Sequence, residues 1–287
     1  MYHVARLHPF IAGAGMAESG LGCIGAGRMA RGVLEGAMLT GKIQAKDVTV
    51  SAPSDKNVKI FRDHGCHTTH SNADVLTACK VVILAVKPHI ISTVLQEISS
   101  LVTCEHVFIS LAAGVTLQTL ESCLPAGSKV LRMSPNLPCV VQEGAVVVCR
   151  GRRAGDQEVA MVKSLFSGCG LCEEVPESYI DIHTGLSGSG VAYVYMFAEA
   201  LADGAVKMGM PSELSNRIAA QTLLGAAKML LKTGDHPAKL RSDVCTPGGT
   251  TICALHELEK GGLRATVMNA VETATEKARS IGKKTAQ

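Results

Sequence analysis

Two rhythms of apolar and polar positions run along the chain, and the change from one to the other divides it. From Leu21 a four-residue apolar run enters a glycine turn and then a helix-period pattern that lasts through Leu39. Short β-branched runs recur at 48–51, 81–86, 107–111 and 130–133 with helix-period stretches between them, the order of a mostly parallel sheet covered by helices on both faces. Runs at 144–149 and 171–175 add two strands around a helix at 156–167. Beyond Ser178 the strand rhythm stops. Helical periods follow over 191–208, 212–232, 237–243, 250–260 and 265–281, with Pro211 and Pro237 in first turns and Gly209, Gly234 and Gly261-Gly262 at ends. The pattern predicts an α/β sheet domain over 19–176, an all-helical domain over 177–287, and a boundary near Pro176-Glu177. Residues 1–18 show no period and are expected to be a disordered leader.

Composition narrows the function classes. Nearly half of the 287 residues are apolar, with no tryptophan and few tyrosines or phenylalanines, so the helices must pack through small and aliphatic side chains. Small residues crowd the helical half, as at Ala198, Ala200, Ala202, Gly204 and Ala205, and a half so apolar is expected to bury surface against another copy of the chain. A formal charge of +3 with scattered lysines and arginines argues against a nucleic-acid partner. No apolar run approaches a membrane span, so no membrane partner is expected. Eleven cysteines, mostly inside apolar segments, suggest reduced thiols in an intracellular protein, and the leader offers only Arg6, which favours the cytoplasm over mitochondrial import. Cys169-Gly-Leu-Cys172 lacks a second pair to complete a zinc site and reads as core or surface thiols. His64, Cys66, His67 and His70 read as a short exposed turn after a helix, and no metal is expected.

Two glycine motifs carry the chemistry. Ile24-Gly25-Ala26-Gly27-Arg28-Met29-Ala30 is G-x-G-x-x-A between a strand and a helix: Gly25 for the tight turn, Gly27 for close approach of a pyrophosphate, Ala30 for tight helix packing. It marks a dinucleotide site of Rossmann type. At 243–259 the chain reads DVCTPGGTTICALHELE, a turn with Pro247, Gly248 and Gly249, hydroxyls at Thr246, Thr250 and Thr251, and an amphipathic helix after it. Such a helix start either holds a small carboxylate on backbone N–H groups or is an ordinary threonine N-cap. Loops at the C-terminal edge of the sheet are the remaining candidates: Ala85-Val86-Lys87-Pro88, Ala112-Ala113-Gly114 and Ser134-Pro135-Asn136-Leu137-Pro138. Ala112 to Gly114 leave room for a nicotinamide ribose, while Lys87 serves a polar group or is a solvated loop residue. At the end of the second strand, Ser51-Ala52-Pro53-Ser54 has no carboxylate for a ribose, and Ser51, Ser54 and Lys56 tolerate a 2′-phosphate, which favours NADPH over NADH. Asp55 reads as a helix cap. The run 184–190 (TGLSGSG) is a flexible hinge with a serine cap, or a segment over the nicotinamide and substrate.

Together these motifs resemble the pyrroline-5-carboxylate reductase family from Leu21 to about Gly282. The resemblance implies a Rossmann domain binding NAD(P)H, a helical dimerisation domain that interlocks with a second subunit, and dimers assembling into a homodecamer. It implies reduction of the cyclic imino acid 1-pyrroline-5-carboxylate to L-proline, the last step of proline biosynthesis. Asn72 would help hold the 2′-phosphate, though Ala52 stands where relatives often carry a second serine, and Val191 where many carry proline. Thr246 with the N–H groups of Gly248, Gly249 and Thr250 would grip the carboxylate, and Thr251 would bond the ring nitrogen. No histidine or carboxylate is assigned as proton donor. The rivals are a β-hydroxyacid or imine reductase relying on Lys207, and a cofactor-binding regulator without turnover.

Overall fold

A computed structural model describes residues 20–285. β1 (Leu21–Ile24) leads into α1 (Arg28–Leu39), and the alternation continues through β2 (Val48–Ser51), α2 (Asp55–Asp63), β3 (His67–Thr69), α3 (Asn72–Ala78) and β4 (Val81–Leu84). Then come α4 (Ile91–Ile98), β5 (Val107–Ser110), α5 (Leu117–Ser122), β6 (Lys129–Ser134), β7 (Gly144–Arg150), α6 (Asp156–Phe166), β8 (Gly170–Glu174) and the short α7 (Ile180–His183). The eight strands form one sheet in the order β3-β2-β1-β4-β5-β6-β7-β8. Every pair is parallel except β6 with β7. Strand order reverses at β1 and β4, so a crevice opens beyond their carboxyl ends, where ligands bind in such sheets.

Period two explains why the central strands are apolar throughout. Leu21, Cys23, Val81, Ile83, Val107, Ile109, Leu131 and Met133 point into the core that contains α1, α2 and α6 residues. Ile24, Val82, Leu84, Phe108 and Val130 point the other way, against residues of α3, α4 and α5. Both faces are therefore dry, as a parallel sheet covered twice requires.

Three sequence expectations change. The 64–70 segment is not only a turn: His67–Thr69 is an edge strand paired in parallel with β2, its three polar residues being supported by the ladder rather than by an apolar face. His64 and His70 are tied to backbone, at 2.6 Å from the Ile60 carbonyl and 2.7 Å from the Ala52 carbonyl. The 184–190 run is no flexible hinge, because Thr184–Gly188 forms a π-helical turn that continues α7, and Ser189 makes no side-chain cap. Asp55 lies inside α2 rather than at its cap, which is Ser54.

The chain forms two compact units. Ser189–Ala274 is one; residues up to Gly188, rejoined by those from Thr275 onward, are the other. The sequence pattern placed the change near Pro176-Glu177, but segment 177–188 packs on the sheet: Ile180 lies in its core and Glu177 and Asp181 pair with the buried Arg132. The expected leader lies outside the described residues.

The second unit contains α8 (Gly190–Lys207), α9 (Ser212–Thr233), α10 (Pro237–Asp243), α11 (Thr250–Lys260) and the first half of α12 (Leu263–Thr285). Although α8 is largely apolar, only its Gly190 and Ala202 are buried. Tyr195, Met196, Met208, Leu231 and Met268 are all at least 60% exposed. An apolar surface of that kind is stable only when something covers it. Among the described residues no helix is long and apolar enough to cross a membrane.

Candidate functional site

The fingerprint turn is built as its glycines require. Gly25 has φ +106°, its N–H donates to the Ser51 carbonyl at 2.9 Å, and a Cβ there would stand 2.7 Å from the Ala85 carbonyl oxygen. Only glycine fits. Gly27 is different: it caps α1 in extended conformation, and no atom lies within 4 Å of where its Cβ would be. The fold itself does not demand glycine there, since the space a Cβ would take is open. No side chain caps α1 and no acid sits in its first turn, so its N–H groups face outward with the positive end of the helix dipole. Ala26 and Ala30 are buried, Met29 is half-buried, and Arg28 is exposed.

The other sheet-edge candidates gather around this turn. Ala85 N–H donates to the Ile24 carbonyl at 2.8 Å, Val86 and Pro88 are half-buried, and Lys87 projects exposed before a short 3-10 turn. Ser51 is fully buried, and its hydroxyl donates to Asn72 Oδ1 at 2.7 Å. Asn72 in turn donates to Glu97 at 3.1 Å, an α4 carboxylate to which the sequence analysis assigned no role. Ala52 has no side-chain polar group to offer and binds through backbone alone. Ala112 is buried and Ala113 exposed, while Gly114 lies so close to the end of α12 that a Cβ would stand 2.6 Å from Gly282 N.

Beside the alanine loop lies a cavity of about 210 Å³, lined by Met29, Ala112, Ala113, Met133, Ser134 and Thr184 among others. Under it runs a polar layer. Arg132, 3% exposed, pairs with Glu177 at 2.7 Å and Asp181 at 3.4 Å, and Glu177 also accepts from Leu117 N–H at 2.7 Å. Asn136 donates to Ser187 at 2.9 Å and accepts from Ala145 N–H at 2.9 Å. His183 touches Ser134, and burial pulls its pKa below the ordinary imidazole value against a weaker opposing pull from the Ala145 backbone. Arg132, Ser134 and His183 carried no expected role; only the position of Ser134 at the end of β6 hinted at one.

The Cys169/Cys172 pair is inert. The contact of Cys169 is with Cys139, whose hydrogen bond, followed by burial, raises the Cys169 pKa, and burial pushes Cys172 up to about 11. Neither forms a ready thiolate.

In the helical unit, Thr246–Gly249 is a tight turn closed by Gly249 N–H to the Thr246 carbonyl at 3.0 Å. Pro247 takes the second position and Gly248, at φ +70°, the third, the sequence of a type II turn. Gly249, not a threonine, is the N-cap of α11, and no side chain caps it. A Cβ on Gly249 would collide with Thr246 Oγ1 at 2.3 Å. The threonine N-cap reading therefore fails, and the first-turn N–H groups stay available. Thr246, Gly248 and Thr250 are exposed, and Gly249 and Thr251 half-buried. Cys245 and Ile252, flanking the turn, line an open groove of about 780 Å³ between α10 and α11. The cofactor candidates thus all belong to the sheet unit and the substrate candidates all to the helical unit.

Comparison with known proteins likewise separates the cofactor candidates from the substrate candidates, and its second segment begins at residue 177, where the sequence pattern expected the boundary. A family model described as "Pyrroline-5-carboxylate reductase dimerisation" matches residues 177–281, and one described as "NADP oxidoreductase coenzyme F420-dependent" matches 20–114. The chain is 66% identical to pyrroline-5-carboxylate reductase 3 of Xenopus laevis, over 92% of this chain and 96% of that protein. It is 59% identical to the Macaca fascicularis protein of the same name, over 96% of this chain and all of that one. Among solved structures, Plasmodium falciparum pyrroline carboxylate reductase with NADP bound superimposes with a TM-score of 0.86 at 33% identity, covering 93% of this chain and 100% of that one.

Proposed function

The chain belongs to the pyrroline-5-carboxylate reductase family, and from that membership we infer how its two units divide the work. It is an NAD(P)H-dependent oxidoreductase that reduces 1-pyrroline-5-carboxylate to L-proline in proline biosynthesis. The observation that carries the reading is the pairing of two uncapped helix starts, each opened by glycine, one per unit. One suits a pyrophosphate, the other a small carboxylate.

The bound nicotinamide supplies the hydride; the protein positions, polarises and excludes water. Gly25, Ala26 and Gly27 with the first turn of α1 would cradle the pyrophosphate, Ala85 to Pro88 and Ala112 to Gly114 would border the ribose and ring, and Ile24, Arg28 and Met29 would complete the wall. Ser51 and Asn72, already bonded to each other, would meet the adenosine ribose. We favour NADPH, because no carboxylate ends β2 and the family member solved from Plasmodium falciparum holds NADP. Glu97 beside Asn72 is the feature that tempers that preference toward NADH.

In the helical unit, Thr246 and the N–H groups of Gly248, Gly249 and Thr250 would hold the substrate carboxylate, and Thr251 would hydrogen-bond the ring nitrogen. A cyclic imine is basic enough to arrive protonated, so no strong acid is needed. The exposed apolar face of α8 and α9, with a matched dimerisation family, supports a homo-oligomer; its growth from dimers to a decamer, and a cytoplasmic location suited to eleven free thiols, are parts of the same reading.

The test is an NADPH-oxidation assay with 1-pyrroline-5-carboxylate, run against hydroxyacids and a no-substrate control. Stoichiometric L-proline is expected with the imino acid alone. Turnover of hydroxyacids instead, or none at all, would overturn the reading.

A further inference from the structure

The loop after β5 owes its shape less to its own hydrogen bonds than to a helix late in the chain. Its internal bonds are long: Ala112 N–H to Ser110 Oγ at 3.3 Å and Val115 N–H to the Ala112 carbonyl at 3.4 Å, against about 2.9 Å for an ordinary N–H···O bond. The firm anchors stand at its two ends, where Leu111 N–H donates to the Leu84 carbonyl at 2.9 Å and Leu117 N–H to the Glu177 carboxylate at 2.7 Å. Between them Ala112 and Val115 sit in the core, while Ala113 is exposed and lines the cavity beside Met133 and Thr184.

The middle of the loop is pinned from outside. On α12, Thr275 and Ala278 are buried and Gly282 half-buried, and their three- and four-residue spacing puts them on one face. At Gly282 that face meets Gly114 backbone to backbone. A Cβ on Gly114 would stand 2.6 Å from Gly282 N and 2.7 Å from the Ala278 carbonyl oxygen, and a Cβ on Gly282 would overlap the Gly114 carbonyl oxygen and stand 2.9 Å from its carbon. Every atom in that contact is main chain, so no change of rotamer makes room. Gly114 needs glycine twice over, since its φ is +75°. Gly282 is the sharper case. It lies inside a helix, where glycine is unfavourable, and the approach to Gly114 is what asks for it there.

We propose that Gly282 is a positioning residue for the cofactor: by letting α12 seat on Gly114, it holds Ala112 to Gly114 in their receiving shape before a dinucleotide arrives. The proposal rests on the reading of the chain as an NAD(P)H-dependent reductase with this loop beside the nicotinamide half. Ala113 and Gly114 share a peptide plane, so a shift of Gly114 is passed directly to the one exposed residue of the three. A loop already ordered spares the binding step the entropy of ordering it. With alanine at 282 the loop or the helix must give by about 1 Å, and a displacement of that size is enough to weaken binding about tenfold. The adenosine half, met by Ser51 at the end of β2, would not feel it, because β1 and β4 stand between β2 and β5.

The test is calorimetry on the full chain without imino acid, so that nothing turns over. NADPH is compared with its adenosine half, 2′,5′-ADP, and NADH with 5′-AMP. Gly282→Ala should weaken both dinucleotides by about tenfold and leave both adenosine halves at wild-type affinity. Lys277→Ala, on an exposed position of the same helix, should change none of the four. Because a variant that fails to fold would be silent, hydrogen exchange of the wild-type protein supplies a second measurement: peptides over 111–117 should be protected already in the free protein and little changed by NADPH. In Gly282→Ala the same peptides should exchange faster when free and return to the wild-type rate with saturating NADPH. Wild-type dinucleotide affinity in Gly282→Ala, equal weakening of dinucleotides and adenosine halves, or a wild-type loop protected only once NADPH is bound would each overturn the proposal while leaving the functional reading standing. A wild-type protein that binds neither dinucleotide would overturn both.

Discussion

The sheet unit hides its apolar residues and the helical unit displays them. Leu21, Ile83, Leu84, Phe108 and Ile109 are fully buried on one or other face of the sheet, whereas α8 and α9, of comparable apolar content, bury four residues between them, two in each. The first pattern is that of a structure complete within one chain. The second is that of half a core, whose other half must come from another molecule. What the difference teaches is that the two glycine-opened helix starts stand on unlike foundations: the one at Gly27 is held by its own sheet, while the one at Gly249 belongs to a unit that depends on assembly.

The strongest way to break the comparison is to place a charge on the displayed face. Met196→Asp, on a residue 73% exposed in the single chain, should weaken self-association by about a hundredfold or more, because an unpaired carboxylate costs several kcal/mol to bury. Sedimentation velocity should show the fall to lighter species, with activity falling alongside. An unchanged distribution would mean that the face stays uncovered. The matching change in the sheet unit is Gly25→Val, which forces a side chain into a positive-φ turn and against the Ala85 carbonyl. It should cost roughly 2–3 kcal/mol and abolish dinucleotide binding by calorimetry, yet leave the oligomer intact. Loss of assembly in that variant would merge the two units into one.

Legibility followed the same division. The central strands and their glycine turn were readable because two dry faces demand unbroken apolar runs, and because Gly25 answers a backbone constraint that no other residue meets. β3 was hidden, since His67, Thr68 and Thr69 are held by ladder hydrogen bonds at an edge and carry no apolar signal. The helices of the second unit were legible from their periods, and the matched dimerisation segment begins at 177 as the pattern expected; what the pattern could not show is that Glu177 and Asp181 pair with Arg132 and that Ile180 packs in the sheet core. Within the site, motif residues could be named, but Glu97 beside Asn72 and His183 beside Ser134 could not. Those pairs are separated by long stretches of chain and come together only through the topology of the sheet.

A smaller effect sharpens the comparison at the second helix start. Thr251→Ala removes one hydroxyl proposed to face the substrate ring nitrogen and should lower kcat/KM by about tenfold, the loss of one transition-state hydrogen bond. The oligomer and the affinity for NADPH should be unchanged, since the residue lies in the other unit from the cofactor turn. Kinetics like those of the wild type would remove Thr251 from the mechanism.

The smallest effect concerns a charge that is satisfied within the sheet unit. Glu158, in the first turn of α6, pairs with Lys129 at 2.8 Å and accepts from Gly155 N–H at 2.8 Å, with its side chain 12% exposed. The Lys129 ammonium, ahead of the opposing effect of burial and the help of the Gly155 N–H, holds its carboxyl below the usual value. A carboxylate with a folded-state pKa below its unfolded one, which is near 4.3, stabilises the fold fully above that unfolded value and ceases to do so as pH falls through the lowered one. Glu158→Gln keeps an acceptor for Gly155 and loses the ion pair, so it should cost about 1 kcal/mol at neutral pH and nothing once the wild-type carboxyl is protonated. Urea melts of both proteins across that acid range should converge, and the gap at neutral pH should not depend on protein concentration, in contrast to Met196→Asp. A concentration-dependent gap would show that the sheet unit, too, leans on its partner.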